Sequence, residues 1–157
     1  MIGPPKKPPP LLYNLAELQN DCSKYFKISP DETLAYVQDM YEKKLLTYPR
    51  TDARVLSSAV AKEIDKNIRG LIQYGPVGAY ASLLIEKNAY RGVGKSRYVN
   101  DKQITDHYAI IPTGQGLREL EKLPQTAVQI YELAARRFLS IFFPAAVYEK
   151  VSLVSKV

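Results

Sequence analysis

The sequence has one cysteine, one histidine and no tryptophan among its 157 residues. Cys22 has no partner for an internal disulfide, which fits a reducing compartment. One cysteine and one histidine cannot supply the ligands of an ordinary zinc site. No apolar run is long enough to cross a bilayer, and the proline- and lysine-rich start lacks the apolar stretch of a signal peptide. These absences predict a cytoplasmic protein with no membrane partner.

Acidic residues are in the minority. The 16 Asp and Glu residues are outnumbered by 22 Lys and Arg residues, which gives a net charge of +6. An excess of positive charge fits a polyanionic partner such as nucleic acid, although many basic proteins bind no polyanion. The length and the 46% hydrophobic content are sufficient for one domain with a core of its own.

The pattern of apolar residues predicts a mainly α fold with short β elements, an α+β class. Apolar residues recur at helical spacing after five helix-start signals, which are Asn14, the capping box at 29–32, Ser57 or Ser58, Pro76 and Pro124. We expect a proline-rich linker at 1–10, one domain at 11–144, and an alternating, strand-like tail at 145–157. A strand without an obvious partner suggests that the chain was cut from something larger.

Tyr48 lies in the string TYPRTD, residues 47–52. The following proline disfavours the α region and predicts an extended backbone, in which residues two apart point the same way. Tyr48 and Arg50 are therefore expected to address one ligand together. A phenol beside a planar guanidinium suits a phosphodiester, because one group can attack while the other holds the phosphate oxygens. The simpler interpretation is a packed tyrosine next to a surface charge.

His107 lies in a second string, DHYAIIPT, at residues 106–113. An imidazole can donate a hydrogen bond to a phosphate oxygen or to a leaving hydroxyl, and Asp106 is one candidate to orient it. The alternative is a lone structural histidine.

The segment 88–106 is basic and predicts a loop or a hairpin. Arg91, Lys95 and Arg97, interleaved with tyrosines, could contact a nucleic-acid backbone and stack its bases, although an ordinary solvated loop fits equally well. Residues 89–96, AYRGVGKS, loosely fit a phosphate loop. The stretch before them is helical in pattern, not a buried strand, so nucleotide binding is not expected.

Together these residues resemble the catalytic-tyrosine domain of a type IA DNA topoisomerase, in particular the bacterial topoisomerase III branch. The string at 47–52 is similar to the family's tyrosine motif and follows, as in the family, a helix ending in residues 41–44. HYAIIPT at 107–113 is similar to the second motif. PPPLLYNL at 8–15 and RRFL at 136–139 extend the resemblance to nearly the whole chain.

The resemblance implies a winged-helix-like tyrosine domain followed by the first strand of a neighbouring arch. It also implies an enzyme that cuts one DNA strand, passes another strand through the gap and reseals it without ATP. Tyr48 would keep the 5′-phosphate as a phosphotyrosine, Arg50 would position the scissile phosphate, and His107 would bind the backbone near the cut. The expected DNA contacts beyond these three are Thr51, Arg91, Lys95, Arg97 and Thr113.

The resemblance also implies Mg²⁺, bound in a domain on the N-terminal side of this region by an acidic cluster that this sequence lacks. We therefore expect no metal ligand in this chain and no cleavage by the chain alone. The implied partners are single-stranded DNA and the remaining domains of the same polypeptide, in the bacterial cytoplasm at the nucleoid.

Three positions depart from the family pattern. Ala53 replaces a frequent serine, Ile111 replaces the arginine of the topoisomerase I branch, and Tyr108 replaces a second histidine or a glutamate, which leaves the roles of Ala53 and Tyr108 open. A non-catalytic winged-helix module that binds nucleic acid is the main alternative function. Tyrosine recombinases and rolling-circle nucleases are disfavoured, because they need more histidines than the one present.

Overall fold

The computed structural model describes residues 7–144 and is mainly helical over that range. The helices are α1 (Leu15–Phe26), α2 (Pro30–Glu42), α3 (Ser58–Lys62), α4 (Ile64–Gly70), α5 (Gly78–Glu86), α6 (Leu117–Leu120) and α7 (Gln125–Ser140), with 3₁₀ turns at Val93–Lys95 and Asp101–Gln103. The expected short β elements are reduced, between residues 7 and 144, to the isolated bridges Tyr13–Ile110, Leu46–Pro112 and Leu56–Val99. The strand predicted at 145–157 lies outside the described residues.

The first two helix starts confirm the sequence-based prediction. The Asn14 side chain accepts a hydrogen bond from the Glu17 N–H at 2.8 Å. Ser29 and Glu32 form a reciprocal capping box, with N···O distances of 3.1 and 3.2 Å. These caps satisfy N–H groups that have no partner inside their helices, so each helix begins where its capping residue stands.

Two other predictions were wrong in detail. The helix that Ser57 caps does not continue beyond Glu63. The exposed α3 and the core-facing α4, which buries Ile64 and Ile68, are two separate helices on either side of this residue. The next helix, α5, begins at Gly78 and not at Pro76, whose carbonyl accepts a hydrogen bond from Arg136. The segment 88–106 is a series of turns and 3₁₀ segments, which agrees with the predicted loop and not with the alternative of a hairpin. The short helix α6 was not predicted.

The core lies between the helices and two extended segments that carry the motif strings. Helices α1, α2 and α7 pack against one another, and α4 packs against α5. Leu45, Leu46, Ile110 and Ile111 are almost completely buried between these two groups. The chain before α1 is also fixed, since Pro9 is buried and its carbonyl accepts a hydrogen bond from the Tyr98 hydroxyl. The motif strings are therefore held as part of the core.

Helix α2 ends in a Schellman motif with an unusual residue at its left-handed position. The Leu45 N–H donates to the Met40 carbonyl at 2.8 Å, and the Lys44 N–H donates to the Tyr41 carbonyl at 2.9 Å. Lys44 has φ +64°, a conformation for which glycine is the usual choice because it has no β-carbon to clash.

Replacing Lys44 by glycine should therefore stabilise the fold. We expect Lys44→Gly to raise the free energy of unfolding by roughly 0.5–1 kcal/mol, since relief of the left-handed strain exceeds the entropic cost of glycine. Urea unfolding followed by circular dichroism measures the change. Lys27→Gly is the matched control, because Lys27 also follows a helix at φ 59°. If Lys44→Gly destabilises the fold and Lys27→Gly does not, this account of the turn is contradicted.

Candidate active site

Thr47 joins the two motif strings. Its N–H donates to the Ile111 carbonyl at 3.0 Å, and its hydroxyl accepts from the Ile111 N–H at 2.9 Å. The same hydroxyl donates to the Ala109 carbonyl at 3.1 Å. Segments more than sixty residues apart in sequence therefore lie side by side, with their relative register set by one side chain.

Two more threonines fasten the ends of this arrangement. The hydroxyl of Thr51, a buried residue, donates to the His107 carbonyl and accepts from the Ala53 N–H, both at 3.1 Å. The Thr113 hydroxyl donates to the Lys44 carbonyl at 2.5 Å. Both hydroxyls are engaged inside the protein, so Thr51 and Thr113 position the walls of the site. Direct DNA contact by either residue stays a prediction.

The structure brings Tyr48 and His107 into contact. Their ring centroids lie 4.3 Å apart with planes tilted by 35°. Tyr48 also forms a T-shaped contact with the ring of Tyr41, with centroids 5.1 Å apart and planes at 80°. Tyr48 is half-buried and His107 is exposed. The Tyr48 ring thus contacts two other rings near the protein surface, which limits its orientations while part of it stays accessible to a ligand.

A cleft of about 380 Å³ opens beside these rings. Its lining consists of Tyr41, Lys44, Leu46, Thr47, Tyr48, His107, Tyr108, Thr113 and Gln115. None of these described lining residues is acidic. Burial raises the pKa of Tyr108, so this second phenol stays protonated and can act in the cleft as a hydrogen-bond donor. The cleft offers hydroxyl groups and positive charge to a ligand.

Arg50 does not lie among the lining residues of the cleft. The Thr51 N–H donates to the Pro49 carbonyl at 2.9 Å, which closes a tight turn centred on Arg50. The segment is therefore not the regular extended strand that the sequence argument assumed, because the backbone bends at the buried Pro49 and turns at Arg50. Arg50 is exposed and makes no hydrogen bond or ion pair within residues 7–144, so its guanidinium is available to a ligand.

The basic loop lies apart from the cleft lining. Arg97 donates to the Pro9 carbonyl at 3.3 Å and stands over the Tyr98 ring. Arg91 and Lys95 are exposed. The segment 89–96 follows helix α5, as the sequence predicted, and contains a 3₁₀ turn at Val93–Lys95. The structure thus separates these three cations from the lining that Tyr48 and His107 share.

Sequence reasoning missed Tyr41 and Lys44 as members of the site. Both belong to the end of α2, which the sequence presents as an ordinary amphipathic helix. The sequence feature that could have identified both residues is that this helix ends directly before the tyrosine string. Contacts with Tyr48 and Thr113 could be identified only once the chain was folded.

Two further observations concern metals and membranes. In the part of the chain that the structure describes, no three His, Cys, Asp or Glu residues gather closely enough to hold a metal ion. Over the same residues, no helix is both long enough and apolar enough to cross a bilayer.

Comparison with known proteins decides the family. The family model described as DNA topoisomerase matches residues 3–157. The chain belongs to this DNA topoisomerase family. DNA topoisomerase 3 of Bacillus subtilis (strain 168) is 39% identical over 149 residues, which is 94% of this chain and 20% of that protein. The Bacillus licheniformis and Bacillus thuringiensis (strain Al Hakam) proteins of that name are 37% and 38% identical.

The predicted resemblance to bacterial topoisomerase III is confirmed by these relatives. The chain spans about a fifth of the length of the curated topoisomerases that it matches. The helical architecture is consistent with a type IA topoisomerase domain.

Proposed function

We propose that this chain is the tyrosine-bearing part of a bacterial type IA DNA topoisomerase, and that Tyr48 is its nucleophile. The observation that carries the proposal is the contact between Tyr48 and His107, which two separate motif strings bring to one cleft. A packed structural tyrosine would not need an adjoining open cleft with polar and cationic walls. Tyr48 has one, and membership of the topoisomerase family supplies a reaction that uses it.

In this reaction the Tyr48 oxygen attacks a DNA phosphorus atom and forms a new P–O bond. The bond from phosphorus to the 3′-oxygen breaks, the phenol proton is lost, and the departing 3′-oxygen takes up a proton. One phosphodiester replaces another, so resealing is the same step in reverse and needs no ATP. Positioning and charge stabilisation contribute most to such transfers.

His107 and Arg50 take different positions in this proposal. His107 lies against the Tyr48 ring and can donate a hydrogen bond to a non-bridging oxygen of the phosphate attacked there. Arg50 reaches the phosphate from the adjoining turn, with a guanidinium that no described residue engages. Arg91, Lys95 and Arg97 would contact the DNA backbone at a distance from the cleft.

The remaining parts of the proposal concern the complete polypeptide. The described residues do not form a Mg²⁺ site, so we assign Mg²⁺ to another part of the polypeptide. The other domains would supply the rest of the single-strand binding surface, and the chain alone would not cleave DNA. The winged-helix-like fold, the bacterial cytoplasm and the nucleoid stay part of this proposal.

Trapping the covalent intermediate tests the assignment of Tyr48. The complete polypeptide is incubated with Mg²⁺ and single-stranded oligonucleotides labelled at either end, and then denatured. Because Tyr48 would retain the 5′-phosphate, only the 3′-labelled strand should tag the protein. Mass spectrometry of the digested adduct should place the nucleotide on Tyr48. Attachment at another residue, or tagging by the 5′-labelled strand, would overturn the mechanism.

A further inference from the structure

We propose that Lys44 is a phosphate-binding residue of the tyrosine cleft, and that its ammonium group holds non-bridging oxygens of a phosphate in the bound DNA strand. The inference rests on the proposed function, because it names a further ligand contact in the same cleft. Neither the tyrosine string nor the histidine string contains Lys44. Its assignment comes from the charge of the cleft and from the conformation of the turn.

Lys44 supplies the positive charge of the cleft. It is the only lysine or arginine among the nine described residues that line it, and no carboxylate is among them. The neighbouring Lys43 pairs with Asp39 at 2.5 Å, whereas the Lys44 ammonium has no hydrogen bond or ion pair within residues 7–144. An unpaired cation in a cleft without acids suits an anion, and a nucleic-acid phosphate presents one.

The backbone at Lys44 is fixed by both walls of the cleft. Its N–H donates to the carbonyl of Tyr41, whose ring contacts the Tyr48 ring. Its carbonyl accepts from the Thr113 hydroxyl at 2.5 Å. The base of the lysine side chain is thus held relative to Tyr48, while its long stem remains free to follow a phosphate. Such a site can place a charge without burying it.

The left-handed conformation points to the same conclusion. Lys44 has φ +64° at a position where glycine is the usual residue. Non-glycine residues at positive φ store strain, and strained residues are common at functional sites. Lys27 shows the same conformation at the end of α1, but it does not line the cleft. The combination of strain and cleft position distinguishes Lys44.

Salt-dependent DNA binding by the complete polypeptide, carrying either the unaltered chain or a variant of it, tests this assignment. Fluorescence anisotropy of a labelled single-stranded oligonucleotide is measured across a salt series for the unaltered chain, Lys44→Gly, Lys44→Arg and Lys27→Gly. Lys44→Gly should bind about 5-fold more weakly at low salt and reduce the slope of log K against log[salt] by about 0.7, the value of one lost phosphate contact. Lys44→Arg should keep the slope, and Lys27→Gly should stay within about 2-fold of the unaltered chain.

The Lys27→Gly variant loses the same charge at the same backbone conformation. Equal losses for the two glycine variants would therefore mean that only net charge matters, and would overturn the inference. Absence of measurable binding by the unaltered chain would overturn it as well. Inorganic phosphate at constant ionic strength serves as the competitor. Phosphate should weaken DNA binding by the unaltered chain more than binding by Lys44→Gly, and equal competition in the two would contradict the proposal.

The proposed function and this inference can fail independently. An adduct on Tyr48 together with equal losses for Lys44→Gly and Lys27→Gly would leave the nucleophile in place and remove the role of Lys44. Selective loss for Lys44→Gly without an adduct on Tyr48 would leave a DNA-binding cleft and remove the chemistry. Since glycine favours the turn at Lys44, misfolding does not explain a selective loss of binding.

Discussion

Replacing Tyr48 by phenylalanine is expected to abolish DNA cleavage by the complete polypeptide, lowering the rate by at least about 10⁴-fold. The change removes the attacking oxygen, and no second nucleophile can take its place without a new geometry. The neighbouring phenol of Tyr108 is held protonated by burial, which raises its pKa. A gel assay of strand cleavage with Mg²⁺ and a labelled single strand measures the loss.

The same variant should bind the single strand within about 3-fold of the unaltered protein, because the ring and its contacts with His107 and Tyr41 remain. Tyr25→Phe, on an exposed tyrosine outside the cleft, is the matched control and should cleave normally. Cleavage that persists in Tyr48→Phe would remove the proposed mechanism. Such a result would favour the alternative, in which this chain is a binding module without chemistry of its own and another part of the polypeptide cleaves the DNA.

Gly70→Ala is expected to destabilise the fold by about 3 kcal/mol and lower its melting temperature by roughly 10 °C. A β-carbon on Gly70 would lie 2.1 Å from the carbonyl oxygen of Gly114 and 2.4 Å from its α-carbon. Both neighbours are backbone atoms, so the contact cannot be relieved by a rotamer change. Thermal unfolding followed by circular dichroism measures the shift.

Gly75→Ala provides the control for this substitution. A β-carbon at Gly75 meets no heavy atom within 4 Å, so we expect a change in stability within about 0.5 kcal/mol.

The Gly70 contact also affects the candidate site, because Gly114 directly follows Thr113, which lines the cleft. The Asn67 side chain joins the same two segments by donating to the Pro112 carbonyl at 2.9 Å. Unchanged stability of Gly70→Ala would show that α4 and the 112–114 turn are not closely packed.

The helix starts illustrate how far local sequence reasoning reaches. Asn14 and Ser29 cap α1 and α2 as predicted, because a cap needs only a side chain and an N–H two or three residues away. The periodic pattern after Ser57 was less informative. It runs on through Glu63, where the helix is broken, since apolar spacing records burial and not backbone continuity.

For the site, the sequence identified Tyr48 and His107, and the structure brings their rings together. The backbone at Arg50 forms a turn and not the regular strand that the sequence argument assumed, and the role of Arg50 beside Tyr48 stays a prediction. The sequence also offered Arg91, Lys95 and Arg97 as DNA contacts, and none of the three is among the residues that line the cleft. Which cations meet the tyrosine depends on packing between distant segments.

The sequence by itself determined the family, the mainly helical class and the two chemical side chains at the centre of the proposal. Each of these rests on local information, namely a motif string, a cap or a proline. Only the tertiary structure decided which residues share the cleft. The bond between Thr47 and Ile111 spans 64 positions, and the Lys44 carbonyl meets the Thr113 hydroxyl across 69. Such contacts form only when the core closes, so no local pattern in the sequence records them.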